Sequence, residues 1–363
     1  MLIITNRKPT NSTDGNAFSA QFNQDSNVIS AMNATKIPGG DGAAGWAISQ
    51  IVAPINNNDA AIAEQIKNYI HLAKSLGRRV LVYVHGNGYD FLKGLERCDA
   101  LSSEYGNVEI IGFSWPSEGF APKSEASLTQ HQRDMNDDDA ISNKFKFINW
   151  VDETEDRYAQ ALLNATSSAN ALEKALRLVN TALENSDAET GSLAIHSLGG
   201  LMFYQAVTQS NEPSLCSAFA NILLLAPDIK ADIQNRLLDS LTPKRVYVTF
   251  NRGDWVLAAA QAADRGTKLG LDPGDGTALS KKAIVRYVDF GGATKGCAGH
   301  RYFIDPQDMG VETTKRFFTR TFGGLADFNP LKEDSTIVYP FHCADGGKVC
   351  WMGNRIDTTF APG

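Results

Sequence analysis

Ser197 stands where an apolar strand pattern changes into a helical pattern. Residues 193–196 have the composition of a short buried strand, and Gly199 and Gly200 open an apolar helical stretch. A sharp turn from strand to helix exposes the turn residue beside the unpaired N–H groups of the helix start. This pattern is typical of a nucleophile elbow, in which a serine attacks and the next backbone N–H binds an oxyanion. Alternatively, Ser197 only caps the helix, a position where serine is also preferred.

A serine nucleophile needs a histidine that takes up its proton and an acid that orients the imidazole. His300 follows the last predicted strand of the sheet and lies in a loop from which it can reach the serine. Two acids compete, because Asp228 follows the first strand after Ser197 and Asp254 follows the second. Asp228 could equally cap a helix, and Asp254 could equally belong to a turn.

A second backbone donor is expected after an earlier strand. The buried strand pattern 79–85 ends at His85 and is followed by Gly86, Asn87 and Gly88. Glycines after a central strand allow the backbone to approach a ligand closely. By itself this stretch is more typical of an ordinary turn, but with Ser197 downstream it marks the place of a second oxyanion donor.

Three further side chains lie at predicted strand ends and are predicted to contact the substrate, namely His85, Trp115 and His196. His85 and His196 precede a glycine or the nucleophile too closely to act as the base. His131 and His342 lie in poorly patterned segments and remain weaker alternatives for that role.

The elements that must position these residues alternate between strands and helices. An amphipathic helix is predicted from Asp59 to Leu76, and another pattern of this kind runs from Glu153 to Ser186 with a break near 166–170. Buried strands are predicted at 79–85, 108–115, 193–196, 219–226, 246–250 and 284–290. This alternation indicates an α/β protein with a doubly wound, mostly parallel sheet, in which ligands bind at the carboxyl ends of the strands.

Six short motifs occur in order between residues 79 and 304: VHG at 84–86, SWPS at 114–117, HSLG at 196–199, APDI at 226–229, NRGD at 251–254 and HRY at 300–302. With these motifs the sequence resembles the α/β-hydrolase superfamily, and more narrowly a poorly characterised bacterial family of esterase- or lipase-like members. The resemblance implies Ser197 as nucleophile, Asp254 as acid and His300 as base, and it favours Asp254 over Asp228. It also implies an oxyanion hole formed by the N–H of Leu198 and the backbone near Gly86 and Asn87.

One position departs from that pattern. The superfamily prefers a small residue two positions before the serine, where this chain has Ile195, whereas the small Gly199 two positions after it is present. Ile195 is the feature that favours a different function, in which the fold is kept for binding and the chemistry is lost.

Size and charge limit the remaining alternatives. The 363 residues, 43% of them hydrophobic, suffice for one large α/β domain with insertions or for two domains. The expected division is an N-terminal extension with the first helix at 1–78, a core at 79–116 and 187–310, a lid or cap insertion at 117–186, and a C-terminal segment at 311–363. The net charge of −7 disfavours a nucleic-acid partner.

Compartment and cysteine usage give further expectations. The longest apolar runs are too short to cross a bilayer, and the N-terminus lacks the order of a signal peptide, so a cytoplasmic location is expected. The five cysteines are irregularly spaced, which favours free thiols over a disulfide framework, with a Cys343–Cys350 pair as the alternative.

The predicted function is hydrolysis of a small carboxylic ester through an acyl-enzyme. The same triad would serve a thioesterase, an amidase or an acyltransferase. No metal or cofactor is predicted, because the acidic run 137–139 is typical of a solvated surface, no cysteine spacing fits zinc, and no strand–helix junction carries a dinucleotide fingerprint.

Overall fold

The computed structural model describes most of the chain. The described residues are 1–23, 25–52, 59–118, 147–186, 191–210, 212, 214–274, 277–294, 299–305, 312–326, 341–344 and 349–352. For 147–156, 341–344, 349 and 351–352 the description is limited to secondary structure. The acidic run 137–139 and His131 lie outside the described residues.

Strands and helices follow one another along the chain. The strands are β1 Leu2–Thr5, β2 Arg7–Pro9, β3 Phe18–Phe22, β4 Ser30–Lys36, β5 Trp46–Val52, β6 Arg79–Val84, β7 Val108–Ser114, β8 Ser192–His196, β9 Asn221–Leu225, β10 Arg245–Phe250, β11 Val285–Asp289, β12 Phe341–Ala344 and β13 Val349–Met352. The helices are α1 Asp59–Ser75, α2 Phe91–Glu104, α3 Phe147–Glu184, α4 Gly199–Gln209, α5 Gln234–Ser240, α6 Trp255–Asp264 and α7 Glu312–Phe322.

One large sheet organises these elements. Its order is β12, β13, β11, β10, β9, β8, β6, β7, β1, β4 and β5. The strands from β13 through β1 all run parallel, whereas β4 and β12 are antiparallel to their neighbours. This architecture confirms the predicted doubly wound, mostly parallel α/β fold.

The sheet reverses its winding direction at β6. The chain passes from β6 to β7 on one side and then crosses back to β8 on the other side. Where the winding reverses, the connecting loops separate and leave a crevice at the carboxyl ends of the strands. The loops after β6 and β8, which carry Gly86 and Ser197, both begin at this point.

Two cores cover the two faces of the sheet. Successive strand residues such as Leu81 and Val82 belong to different cores, because side chains alternate across a strand. One core is completed by α1, α3, α4 and α5, and the other by α2, α6 and α7. Continuous apolar runs form the central strands because both faces are buried. None of the described helices combines the length and apolar character required to cross a membrane.

The N-terminal region adds strands that the sequence analysis does not predict. Strands β4 and β5 extend the main sheet beside β1, and β2 pairs with β3 in a separate hairpin. In β5, buried Trp46 and Ile48 alternate with exposed Ala47 and Ser49, a pattern with the strand period of two.

The long helix also departs from the prediction. Helix α3 continues through 166–170, where a break was expected, and its buried apolar side chains from Ala161 onward belong to the first core. Strands β12 and β13 add one edge to the main sheet.

The cysteines divide into two groups in the described residues. Cys98 and Cys216 are free and buried, as expected. Cys350 takes part in a disulfide bond, contrary to the expectation of free thiols, and its backbone partner across the β12–β13 ladder is Cys343.

Candidate active site

Ser197 forms a strained turn between β8 and α4. Its backbone φ of 52° lies in the left-handed region, which is unfavourable for a residue with a side chain. The end of the neighbouring strand β9 keeps Ser197 in this conformation. Ser197 N–H donates to Leu225 O at 2.9 Å, and Ser197 O accepts from Asp228 N–H at 2.9 Å. Ser197 is therefore fixed at the carboxyl end of β8 in the geometry expected for an elbow.

Glycine at position 199 explains how this turn tolerates Ile195. A Cβ on Gly199 would lie 2.8 Å from His85 O and 3.4 Å from Ile195 Cγ2. The space is thus provided by Gly199, while the Ile195 side chain is fully buried in the first core. The departure at position 195 is compatible with a closely packed elbow.

Asp254 and His300 are in direct contact. Asp254 is the N-cap of α6 and accepts from Leu257 N–H at 3.0 Å through Oδ1. Its other oxygen, Oδ2, accepts from His300 Nδ1 at 2.6 Å, and both side chains are about 1% exposed. Burial raises the pKa of the Asp254 carboxyl, and the attraction of His300 opposes this shift without reversing it.

Asn251 positions the loops that carry this acid–histidine pair. Its Nδ2 donates to Gly299 O at 2.7 Å, and its Oδ1 accepts from Gly253 N–H at 2.9 Å. Gly299 has a φ of 58°, and a Cβ there would lie 2.3 Å from Asn251 Nδ2. The sequence analysis named Asn251 only as part of the NRGD motif. The signal that could have identified its positioning role is an amide side chain directly after β10.

Asp228, the alternative acid, has different partners. Its carboxylate lies 2.6 Å from Lys268 Nζ and accepts from Tyr158 OH at 2.9 Å. Lys268 also lies 2.6 Å from Asp264. Burial alone would lower the pKa of Lys268, but the carboxylates of Asp228 and Asp264 together outweigh burial, and the pKa is raised. Sequence reasoning missed Lys268 and Tyr158, because neither is close to a motif.

The loops carrying His300, Ser197 and Gly86 meet at one place. The His300 ring lies 4.7 Å from the ring of His196, measured between centroids, and His196 directly precedes Ser197. A Cβ on Gly86 would lie 2.8 Å from Ser197 Cβ and 3.2 Å from His196 Nδ1. The sheet therefore brings the predicted nucleophile, the predicted base and the glycine loop to a single edge.

The three residues predicted to supply oxyanion donors lie at this edge of the sheet. Leu198 immediately precedes α4, and Gly86 and Asn87 follow β6. Within the part of the chain that the structure describes, the N–H groups of these three residues have no hydrogen-bond acceptor. Gly86 and Leu198 are buried and Asn87 is half-buried, and unpaired N–H groups in buried positions are rare unless a ligand or water can bind there.

His85 and Trp115 contact each other at the ends of β6 and β7. Their rings stack with centroids 5.6 Å apart, Trp115 Nε1 donates to His85 O, and Trp115 N–H donates to His85 Nε2. His85 Nδ1 donates to Gly86 O at 2.9 Å while Nε2 accepts from Trp115 N–H, so the imidazole carries one proton and is neutral. Burial, assisted by the positive charge of Arg7, lowers the pKa of His85 to about 3.

The three side chains predicted to contact the substrate are buried at the strand ends. His85, Trp115 and His196 are at most 2% exposed, as buried as the acid–histidine pair beside them. His196 packs between His300 and Phe303, and burial together with His300 lowers its pKa well below the ordinary value. Their contact with a substrate stays a prediction.

Among the described residues, no group of three or more histidine, cysteine or acidic side chains is arranged to hold a metal ion.

Comparison with known proteins identifies the family of this chain. No curated protein matches the chain significantly. Residues 59–310 match the model of a family described as an alpha/beta hydrolase of unknown function, DUF900. These residues are more than half of the chain, and they include the elbow, the acid–histidine pair and the glycine loop. The chain therefore belongs to this family of α/β hydrolases.

Proposed function

We propose that the protein is a serine hydrolase that cleaves carboxylic esters, with Ser197 as nucleophile, His300 as base and Asp254 as the acid that orients it. The observation that carries this proposal is the 2.6 Å contact between His300 Nδ1 and Asp254 Oδ2 at the same sheet edge as the strained Ser197 turn. If Ser197 only capped α4, it would need neither its left-handed backbone conformation nor a buried acid–histidine pair beside it.

In the proposed first step, Ser197 Oγ attacks the ester carbonyl carbon while His300 Nε2 takes up the hydroxyl proton. The negative charge that develops on the carbonyl oxygen is stabilised by the N–H of Leu198 and by the backbone at Gly86 and Asn87. The imidazolium is stabilised by the Asp254 carboxylate on its other nitrogen. His300 then returns the proton to the departing alcohol, which leaves an acyl group on Ser197.

In the proposed second step, water attacks this acyl group. His300 accepts one proton from the water and returns it to Ser197 Oγ as the carboxylic acid leaves. Burial of Ser197, Asp254 and His300 strengthens these electrostatic interactions, because the local dielectric constant is lower than that of water. A thioester, an amide or a second alcohol as acceptor would use the same groups, so a comparison of these substrates defines the reaction class.

Turnover of p-nitrophenyl acetate by single variants tests the proposal. Ser197→Ala is expected to lower kcat on the order of a millionfold if the triad acts as a unit. Asp254→Asn is expected to lower kcat on the order of 10⁴-fold, because it removes the charge that holds the imidazole tautomer.

Asp228→Asn is the matched control for the acid. It changes the same functional group, but its carboxylate contacts Lys268 and Tyr158, so turnover by the folded variant should persist. Unchanged turnover by Ser197→Ala would refute the proposed nucleophile. A severe loss in Asp228→Asn with an active Asp254→Asn would refute the proposed acid.

A further inference from the structure

Arg7 is a buried cation in the N-terminal region, outside the residues matched by the family model. Its side chain is fully buried, although arginine is among the residues least often found in the interior. It belongs to β2, which pairs only with β3 in a small hairpin separate from the main sheet. Burial removes water from the guanidinium group, so a buried arginine in a peripheral hairpin requires hydrogen-bond and charged partners that compensate for the lost hydration.

Arg7 donates to Ser19 O of the paired strand β3 at 3.2 Å, and its other partners lie in the loop after β6 and at the end of β7 with the loop that follows it. Arg7 Nη2 donates to Tyr89 O at 2.6 Å and to Trp115 O, and Arg7 Nε donates to Ser114 Oγ at 3.0 Å. Arg7 Nη1 donates to both carboxylate oxygens of Glu118, at 2.7 and 2.9 Å. One guanidinium group thus joins two separate loops. Its five N–H donors lie in one plane and point in fixed directions, whereas the ammonium group of a lysine is a compact charge without this planar arrangement.

These loops are further joined at their ends. Ser117 Oγ accepts from Tyr89 N–H and donates to Tyr89 O, both at 2.9 Å, and Ser117 O accepts from Gly88 N–H at 3.2 Å. His85 and Trp115 close the other end of the same loop. The segment from His85 to Tyr89 is therefore anchored at both ends, and its middle contains the proposed oxyanion donors.

We propose that Arg7 is a positioning residue for the oxyanion hole: its fork of donors fixes the loop after β6 against the loop after β7 and so sets the place of the Gly86 and Asn87 backbone beside Ser197. This inference rests on the proposed ester hydrolysis. It gives the N-terminal hairpin a function in a site whose other residues all lie within the family region. The burial of the whole contact set supports it, because buried hydrogen bonds to a charged group resist displacement by water.

Arg7→Lys tests the proposal, because lysine keeps the charge and loses the planar fork. With p-nitrophenyl acetate, kcat per active site is expected to fall about 10- to 100-fold, whereas KM changes little, since the oxyanion forms after substrate binding. The affinity for a trifluoromethyl ketone, which forms a tetrahedral adduct, should fall by a similar factor. Active sites are counted with a fluorophosphonate, so a partly unfolded sample does not mimic a slower enzyme.

Lys8→Met is the matched control, since Lys8 is the exposed neighbour of Arg7 in the same strand and its loss removes a positive charge there. It should keep wild-type kcat, KM and inhibitor affinity. If Arg7→Lys does not fold, Glu118→Gln replaces it, because it removes the charged partner of Arg7 and keeps one acceptor. It is expected to lower kcat in the same way, but by a smaller factor.

The outcomes separate this inference from the proposed function. A folded Arg7→Lys with wild-type kcat and inhibitor affinity overturns the inference, and so does a loss of activity that is fully explained by fewer active sites. With Glu118→Gln, an unchanged kcat overturns it. A wild-type protein without Ser197-dependent turnover, measured first, refutes the proposed function and the inference with it.

Discussion

Replacing Gly86 with alanine should damage the site through a defined steric contact. A Cβ at this position would lie 2.8 Å from Ser197 Cβ, which is about 0.6 Å closer than the shortest ordinary contact. His196 Nδ1 and O, at 3.2 and 3.3 Å, prevent a simple movement toward the end of β8. Because Gly86 does not have a positive φ, the effect should come from this contact rather than from backbone strain.

The expected loss follows from the displacement. A shift of about 1 Å in reacting groups costs on the order of 100-fold in rate, so a shift of about 0.6 Å predicts a fall in kcat of roughly 10- to 100-fold. Overpacking of this kind also lowers the free energy of unfolding by about 1–3 kcal/mol. The assay is kcat for p-nitrophenyl acetate per fluorophosphonate-reactive site, together with urea unfolding.

Gly94→Ala is the matched control. It makes the same chemical change inside α2, where the nearest atom to the new Cβ would be Ser114 Oγ at an ordinary 3.6 Å. It should keep wild-type kcat and raise the free energy of unfolding by about 0.5–1 kcal/mol, because alanine is a better helix former than glycine. A folded Gly86→Ala variant with wild-type kcat and unaltered Ser197 labelling would refute the argument.

Three other predictions concern buried groups. The unfolded chain protonates His85 below about pH 6.5, whereas the folded protein keeps it neutral down to about pH 3, so acid favours unfolding. Between pH 6.5 and 5, urea unfolding of His85→Gln should therefore show a slope of stability against pH that is smaller by up to about 1.4 kcal/mol per pH unit, and equal slopes would contradict this. Lys268→Met should lower the free energy of unfolding by about 3–5 kcal/mol in urea, because it leaves Asp228 buried without its cation, and a negligible change would show that the pair is dispensable. Burial raises the pKa of the Cys98 thiol to about 12, so iodoacetamide should label Cys98 only after unfolding, as mass spectrometry can show, and rapid labelling of the native protein would argue against its burial.

The central part of the fold was predictable because its strands are buried on both faces. The predicted strand 79–85 corresponds to β6 at 79–84, and the predicted strand 246–250 corresponds to β10 at 245–250. Such continuous apolar runs are a strong local signal. Strand β4, which lies one position from the edge of the sheet and contains mostly small or polar residues, gives a weaker signal, and it was not predicted.

The candidate site was predictable where it follows strand ends, and unpredictable where distant segments meet. Ser197, Asp254 and His300 were placed by chain order, and the structure puts Asp254 rather than Asp228 against His300. The role of Arg7 depends on contacts more than 80 residues away in sequence, to Tyr89 and Trp115, and no local pattern encodes them.

The most direct test of the central claim is covalent labelling of Ser197 by a fluorophosphonate, with the modified peptide identified by mass spectrometry. A small alkyl reagent is appropriate, because Ser197 is only 4% exposed. An activated serine should bring the label onto the peptide that contains Ser197, and the label should be absent from Ser197→Ala. Folded wild-type protein that carries no label on Ser197, in a reaction that labels a known serine esterase, would contradict the account.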